Sequence, residues 1–334
     1  MIIFSLFTKI LHYLPGELSH SIALRGLKLL YSTGLVPFFY ASDKKYEFIQ
    51  RDISNRANMV GIAAGLDKNG EYIDCLASLG LGFIELGTVT PKPQKGNPKP
   101  RIFRNLKERS LVNRLGFNNK GVDFLVEKLK NRKSEIIVGS SIGKNFDTPN
   151  DRAHEDYIHC LEKVYEFSDY IAVNISSPNT KDLRDLSSKV FFDFLLKELK
   201  ESRNKLSKRF GHKPIFIKIS PDETQQNLIL ICKSIVSHEM DGIICSNTTA
   251  NHDEKNGSGG LSGALLRTLS NENLTFVRSE IGEKFPIIAS GGVMTAKDYQ
   301  EKIELGANLV QLYTGFIFEG PRLIQDIINV SSDQ

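Results

Sequence analysis

Tryptophan is missing altogether from the 334 residues, so no indole is present to build a cation–π cage. Cysteine is scarce as well. The four present, Cys75, Cys160, Cys232 and Cys245, are far apart and form no C-x-x-C pair. That pattern suits reduced intracellular thiols and offers no ligand set for zinc or for an iron–sulfur cluster. The seven histidines are scattered without H-E-x-x-H spacing, which argues against a metal site. Charge of one sign is also in short supply: the formal net charge is +4, and Lys and Arg are spread along the chain rather than gathered in blocks. A nucleic-acid partner is not expected from this balance, although a slightly basic chain would rest well against an anionic membrane surface. No apolar run reaches the roughly 20 residues that a membrane-spanning helix needs.

What is present begins with a greasy N-terminus. Met1 to Gly16 carries Phe4, Leu6, Phe7, Ile10, Leu11 and Leu14, interrupted by Lys9 and followed by no small-residue cleavage site, so a signal peptide fits poorly. From Glu17 to Tyr31 the apolar residues Leu18, Ile22, Leu29 and Leu30 recur on a helical repeat. Two short amphipathic helices joined at Pro15–Gly16 are the expectation. They either cap the following domain or lie on a membrane.

After Asp43 short apolar runs alternate with longer segments of helical period. The spacing predicts strands at Val60–Ala64, Phe83–Leu86, Ile136–Ser140, Tyr170–Asn174, Ile215–Ile219, Gly242–Cys245, Ile287–Ser290 and Leu309–Leu312. It predicts helices at Gly70–Leu79, Gly121–Asn131, Arg152–Phe167, Lys189–Lys208, Glu223–His238, Leu265–Ile281, Thr295–Leu305 and Pro321–Val330. Near-continuous apolar strands alternating with helices imply a parallel sheet covered by helices. Eight such units suit a closed (β/α)8 barrel, which takes about 250 residues. No G-x-G-x-x-G follows the first strand, which disfavours a dinucleotide fold. Thr90–Phe117 reads as a long polar insertion, and loops of that length are usually functional.

A barrel of this kind builds its site from residues just after each strand. Here they are Gly65 to Lys68, Thr88, Ser141 to Asn145, Asn174 to Asn179, Lys218 to Ser220, Ser246 to Thr249, Ser290 to Gly292 and Tyr313 to Gly315. The ring is rich in amides, hydroxyls and lysine and poor in carboxylates and histidine. It suits a flat, hydrogen-bonding, negatively charged ligand and not a carboxylate-pair hydrolase. Ser290-Gly291-Gly292, with Thr295 as a helix cap, and Tyr313-Thr314-Gly315 follow the last two strands, where barrels often bind phosphate. Lys218, between branched apolar neighbours, calls for an anionic partner.

Long strings in this chain resemble the dihydroorotate dehydrogenase family. They include Ala63-Ala64-Gly65-Leu66-Asp67-Lys68-Asn69-Gly70, Glu85-Leu86-Gly87-Thr88-Val89-Thr90-Pro91, Lys99-Pro100-Arg101-Ile102-Phe103-Arg104, Asn113-Arg114-Leu115-Gly116-Phe117-Asn118-Asn119 and Asn174-Ile175-Ser176-Ser177-Pro178-Asn179-Thr180. Ser246-Asn247-Thr248-Thr249, Gly259-Gly260-Leu261-Ser262-Gly263 and Ser290-Gly291-Gly292 continue it, so that it runs from about Leu14 to Pro321. The resemblance implies FMN as cofactor and oxidation of dihydroorotate to orotate in pyrimidine synthesis. It implies Ser177 as the base for the C5 proton. It places Lys68, Asn113, Arg114, Leu115, Gly116, Phe117, Asn174, Asn179, Asn247 and Thr248 on the substrate. Flavin contacts are implied for Ala64, Gly65, Leu66, Asp67, Lys68, Thr88, Ser141, Asn174, Lys218, Ser246, Gly263, Gly292, Tyr313 and Thr314. An unassisted hydroxyl is a weak base, so a relay is expected, with Thr180 and Phe117 in the enclosing wall.

Serine rather than cysteine at 177, the lack of cluster ligands and the N-terminal helices together resemble the quinone-dependent, membrane-associated class. That resemblance implies a lipid quinone (ubiquinone or menaquinone) entering past His20, Arg104 and Tyr313, no iron–sulfur subunit, and peripheral attachment on the cytoplasmic face of the inner membrane. It divides the chain into N-terminal helices, residues 1–40, and an FMN-binding barrel, residues 41–334. Three departures stand out: Ser141 replaces a usual asparagine, Ser246 a usual threonine, and Ala250–Ser258 is short and lacks an arginine. A soluble enzyme using fumarate or NAD, and a flavin-holding barrel without turnover, remain the competing readings.

Overall fold

The computed structural model describes residues 10–36, 60–179, 183–184, 189–253 and 257–331. Phe4, Leu6, Phe7, Lys9, Thr180, the boundary at 40/41 and part of the short Ala250–Ser258 segment lie outside these residues. Helix Gly16–Ser32 begins directly after Pro15, as the Pro–Gly pair predicts. No described helix is long and apolar enough to cross a membrane.

The strands are β1 (Val60–Ile62), β2 (Phe83–Val89), β3 (Ile102–Asn105), β4 (Ser110–Asn113), β5 (Ile137–Ile142), β6 (Tyr170–Asn174), β7 (Ile215–Lys218), β8 (Gly242–Cys245), β9 (Gly260–Gly263), β10 (Ile287–Ser290) and β11 (Leu309–Leu312). Eight close into a parallel barrel in the order β1-β11-β10-β8-β7-β6-β5-β2. The helices between them follow the expected alternation, from Ile73–Ala77 through Val122–Lys130, Ala153–Val164, Lys189–Phe210, Gln225–Ser237, Arg267–Ile281 and Ala296–Glu304 to Arg322–Ser331. All eight expected strands are therefore present, with ends shifted by at most three residues. The first barrel helix is shorter than expected because Asp67 folds the preceding turn: its carboxylate accepts from the Glu71 and Tyr72 amides at 3.0 and 2.7 Å.

The barrel floor is a separate apolar layer of Phe83, Ile137, Tyr170, Ala172, Phe216, Ile244, Ile288 and Leu309. Its aromatic rings find room where neighbouring strands carry glycine, as dense packing of a closed barrel interior requires. A methyl group on Gly139 would stand 2.0 Å from the Tyr170 ring, and one on Gly242 2.2 Å from the Phe216 ring. Strand side chains repeat with period two. The next inward positions above Phe83, Ile137, Ala172, Phe216, Ile244, Ile288 and Leu309 are therefore Glu85, Gly139, Asn174, Lys218, Ser246, Ser290 and Gln311. A register irregularity between Leu86 and Val89 re-aims Thr88 toward this same space.

Two elements were not foreseen. Thr90–Phe117 is not simply a polar loop: β3 and β4 form a hairpin within it and pair with β9 into an antiparallel sheet beside the barrel. The lysines, prolines and arginines around Ile102-Phe103 and Leu111-Val112 mask two very short alternating runs. A further helix, Thr314–Glu319, follows β11 directly.

Candidate active site

At the C-terminal ends of the strands a polar cavity gathers most of the expected residues. Ala64, Gly65, Lys68, Thr88, Asn113, Leu115, Gly116, Phe117, Asn174, Ser177, Asn179, Lys218, Ser246, Asn247, Thr248, Gly263, Gly292, Tyr313 and Thr314 all line it. Four expected residues do not. Leu66 faces a second cavity. Asp67 turns back into its own turn, where burial pushes its carboxyl up to about 6. Ser141 is buried behind Thr88, sharing a hydrogen bond of 2.9 Å with the Thr88 hydroxyl. Arg114 points outward, donating to the Pro100 carbonyl at 2.9 and 3.1 Å and lying 5.2 Å from the Phe103 ring centre.

Amides on one side of the cavity hold one another in place. Asn174 Nδ2 donates to Thr88 Oγ1 at 2.9 Å, and its Oδ1 accepts from Asn247 Nδ2 at 3.3 Å. Asn247 also donates to Ser176 Oγ at 3.0 Å, and its own oxygen takes the Thr248 amide at 2.8 Å. Across the cavity Asn179 Nδ2 donates to Asn113 Oδ1 at 3.0 Å, while Asn113 Nδ2 donates to the Gly260 carbonyl at 3.2 Å. Side chains locked in this way lose little entropy when they meet a ligand. Ser177 is buried, and its Oγ accepts from the Asn179 amide at 3.3 Å. Neither a carboxylate nor an imidazole hydrogen-bonds Ser177 among the described residues. Phe117 stands in the cavity wall as expected. Burial, reinforced by the charge of Arg101, pulls the Lys68 ammonium down to about 8, and Lys68 donates to the Gly65 carbonyl at 3.2 Å.

The far end is backbone. Ser290, Gly291, Gly292 and Val293 meet Thr314 and Gly315 there. Gly292 has φ +78°, and a Cβ on it would lie 2.3 Å from Arg267 Cα; one on Gly315 would lie 2.1 Å from the Val293 carbonyl oxygen. Only glycine fits either place, which leaves the peptide groups bare toward the cavity. Thr295 caps helix Ala296–Glu304 as expected, its Oγ1 accepting from the Asp298 amide.

At the centre the structure supplies what Lys218 called for. Glu85, fully buried, takes the Lys218 ammonium at 3.3 Å, Gln311 Nε2 at 2.6 Å and the Tyr170 hydroxyl at 3.1 Å. Sequence reasoning passed over Glu85 and Gln311, as it did the cavity-lining Ser262, Leu266 and Met294. A single polar residue at an inward position of an apolar strand, as in Phe83-Ile84-Glu85 and Leu309-Val310-Gln311, was the available signal.

The second cavity, about 450 Å³, is apolar. Leu11, Ala23, Leu24, Leu27 and Leu30 form one side, and Leu66, Ile102, Leu111, Phe316 and Ile317 the other. The three expected residues His20, Arg104 and Tyr313 line it, together with His12 and Ser19, which were not foreseen. Arg104 donates to the carbonyls of Leu11, at 2.9 Å, and Leu14, and to Ser19 Oγ at 2.9 Å. Arg101 pairs with Glu17 at 2.8 Å. These two arginines fasten the N-terminal helix to the β3 side of the barrel. Burial, aided by the charge of Lys68, pulls the His20 imidazole down to about 4. Tyr313 lines both cavities, and burial pushes its phenol up to about 12.

A (β/α)8 barrel with a cross-bonded polar cavity at its strand ends, a glycine cradle and an adjoining apolar cavity has the architecture of a barrel enzyme with two unlike pockets side by side. Comparison with known proteins narrows this class. The family model for dihydroorotate dehydrogenase matches residues 52–331. The chain is 45% identical over 326 residues to the dihydroorotate dehydrogenase (quinone) of Coxiella burnetii (strain Dugway 5J108-111), covering 94% of this chain and 92% of that one. With the enzyme of the same name from Haemophilus ducreyi it shares 45% identity over 331 residues, covering 97% and 98%. A crystal structure of DHODH from Eimeria tenella in complex with ferulenol superposes with a TM-score of 0.79 at 32% identity, covering 94% of this chain and 89% of that one. The chain belongs to the dihydroorotate dehydrogenase family.

Proposed function

We propose that the protein oxidises dihydroorotate to orotate with FMN and passes the electrons to a membrane quinone, ubiquinone or menaquinone. The observation that carries this reading is Tyr313, which lines both the polar cavity holding Ser177 and the apolar cavity under the N-terminal helix. A carrier seated against it would have one reaction partner on each side. The relatives at 45% identity bear the name dihydroorotate dehydrogenase (quinone).

The residues present fit FMN. The bare peptides at Gly291, Gly292 and Gly315 suit its phosphate. Gln311 Oε1, buried and without a hydrogen-bond partner among the described residues, lines the cavity as an acceptor awaiting an N–H such as the flavin ring offers. Lys218, ion-paired with Glu85, brings its ammonium to the same space. When bound, FMN would accept the hydride equivalent that dihydroorotate loses and release electrons to the quinone. Asn113, Asn174, Asn179 and Asn247 present both donors and acceptors to a cyclic diamide, and Lys68 a cation to its carboxylate. Ser177 Oγ would take the C5 proton, with the Asn179 amide orienting the hydroxyl.

The N-terminal helices, residues 1–40 by this reading, serve the acceptor, and residues 41–334 the oxidation. Tyr13 and Leu29 on the N-terminal segment are 83% and 65% exposed, and Ile10, Leu18 and Leu35 are exposed beside them. An apolar face of this kind around a channel mouth supports peripheral contact with a bilayer. The cytoplasmic face of the inner membrane is the surface we infer.

Dihydroorotate oxidation by the purified protein, with a short-chain ubiquinone, fumarate or NAD as acceptor, tests the reading. Turnover with quinone alone is expected. Turnover only with fumarate or NAD would leave the barrel chemistry standing and overturn the role of the channel. Bound flavin that stays oxidised in dihydroorotate would make this a flavin-holding barrel.

A further inference from the structure

We infer that Glu85 is a positioning residue that sets the reduction potential of the bound flavin, by neutralising Lys218 in the oxidised protein. This rests on the FMN reading above and deepens it. Glu85 touches neither cavity, so no substrate proton reaches it directly, and none of the proposed steps uses it. Yet it is the hub of the barrel interior. From β2 its carboxylate meets Lys218 of β7 at 3.3 Å, Gln311 of β11 at 2.6 Å and Tyr170 of β6 at 3.1 Å. Two of these three partners, Lys218 and Gln311, line the polar cavity. Their charge and orientation toward a ligand are therefore set from behind by one carboxylate.

The consequence follows from charge counting. A hydride delivered to a neutral ring brings two electrons and one proton and leaves one unit of negative charge. An uncompensated Lys218 would stabilise that charge strongly, because buried charges are screened little. Paired with Glu85, Lys218 presents a dipole rather than a net charge, and the reduced state gains less. Such a balance keeps the potential low enough for electrons to leave again toward an acceptor. The neutral donors on Glu85, Tyr170 and Gln311, in turn share the carboxylate with Lys218 and weaken its hold.

Two substitutions of opposite expected sign test this by potentiometric titration of the FMN-loaded protein. Glu85→Gln leaves Lys218 uncompensated and should raise the midpoint potential by about 30 mV or more, a tenfold shift of the two-electron equilibrium. Tyr170→Phe frees more of the carboxylate for Lys218 and should lower the potential, by a smaller amount. A second Lys218→Met change in the Glu85→Gln protein should abolish the rise, which a general loss of packing would not do. Should Glu85→Gln fail to fold, the downward shift in Tyr170→Phe and its disappearance in Tyr170→Phe/Lys218→Met carry the test. Unchanged potentials in FMN-loaded variants, or a fall in Glu85→Gln, would overturn the inference while leaving the flavin reading intact. A wild-type protein that binds no FMN would overturn both.

Discussion

The two cavities are held by different means. In the polar one, the amides of Asn113, Asn174, Asn179 and Asn247 are bonded to one another, to the Thr88 and Ser176 hydroxyls or to backbone, and they spring from strand ends of one closed barrel or from the sheet beside it. The apolar one has the barrel on one side only. Its other side is the N-terminal segment, tied down through Arg104 and the Arg101–Glu17 pair. The polar cavity thus rests on backbone over-determined by strand pairing, whereas one wall of the apolar cavity is a segment fastened to the barrel by side-chain contacts.

The sharpest break in this comparison is Ser177→Ala. Loss of a general base should slow flavin reduction by dihydroorotate about 10²- to 10⁴-fold in stopped-flow measurements, with dihydroorotate still bound. Reoxidation by quinone should be unaffected. An unchanged reduction rate would remove Ser177 from the mechanism.

Acid should attack the other cavity. Because burial holds the His20 imidazole at about 4 against an ordinary 6.5, the unfolded chain binds the extra proton first as pH falls. Stability is therefore complete above about pH 6.5 and declines between 6.5 and 4, by roughly 2–3 kcal/mol from this group. Urea unfolding at several pH values should show that slope in the wild type and a flatter one in His20→Phe; equal slopes would refute it.

Arg104→Ala should come next. It removes the charged donors to Leu11, Leu14 and Ser19, and charge-assisted bonds of this kind are worth about 1.5–3 kcal/mol each at most. The expected result is a KM for quinone raised about tenfold with flavin reduction within about twofold of wild type. If both half-reactions slowed together, the two cavities would not be separable in the way described. The smallest effect belongs to Arg114→Ala. Its guanidinium faces Pro100 and Phe103, so dihydroorotate affinity should change less than about twofold; a tenfold loss would restore it to the substrate site.

Much of this was legible beforehand, for reasons that differ by residue. Ile215-Phe216-Ile217-Lys218 declares a buried strand by its apolar run, and the place of Lys218 next to the cavity follows from its position at the strand end. Thr295 and Pro15–Gly16 mark helix starts through local backbone chemistry alone. By contrast, β3 and β9 are separated by well over a hundred residues and are joined only through β4. No local pattern records such a pairing. Leu66, Asp67 and Arg114 belong to strings that resemble the family's, yet a string does not say which of its side chains face inward. Asp67 serves its own turn, and Arg114, one residue beyond the end of β4, points to solvent.

By itself the sequence determined the alternation of strands and helices, the closed barrel, and the gathering of Ser177, Lys68, Asn174, Asn179 and Asn247 at one end, because hydrophobic period and strand-end position are local properties; Asn113, on the sheet beside the barrel, was reached only through the family resemblance. Tertiary structure alone decided that Glu85, Lys218, Gln311 and Tyr170 share one buried network, that Ser141 stands behind Thr88, and that Tyr313 faces two cavities. Those facts depend on the register and closure of strands far apart in the chain, and on which way each side chain turns once its neighbours are in place.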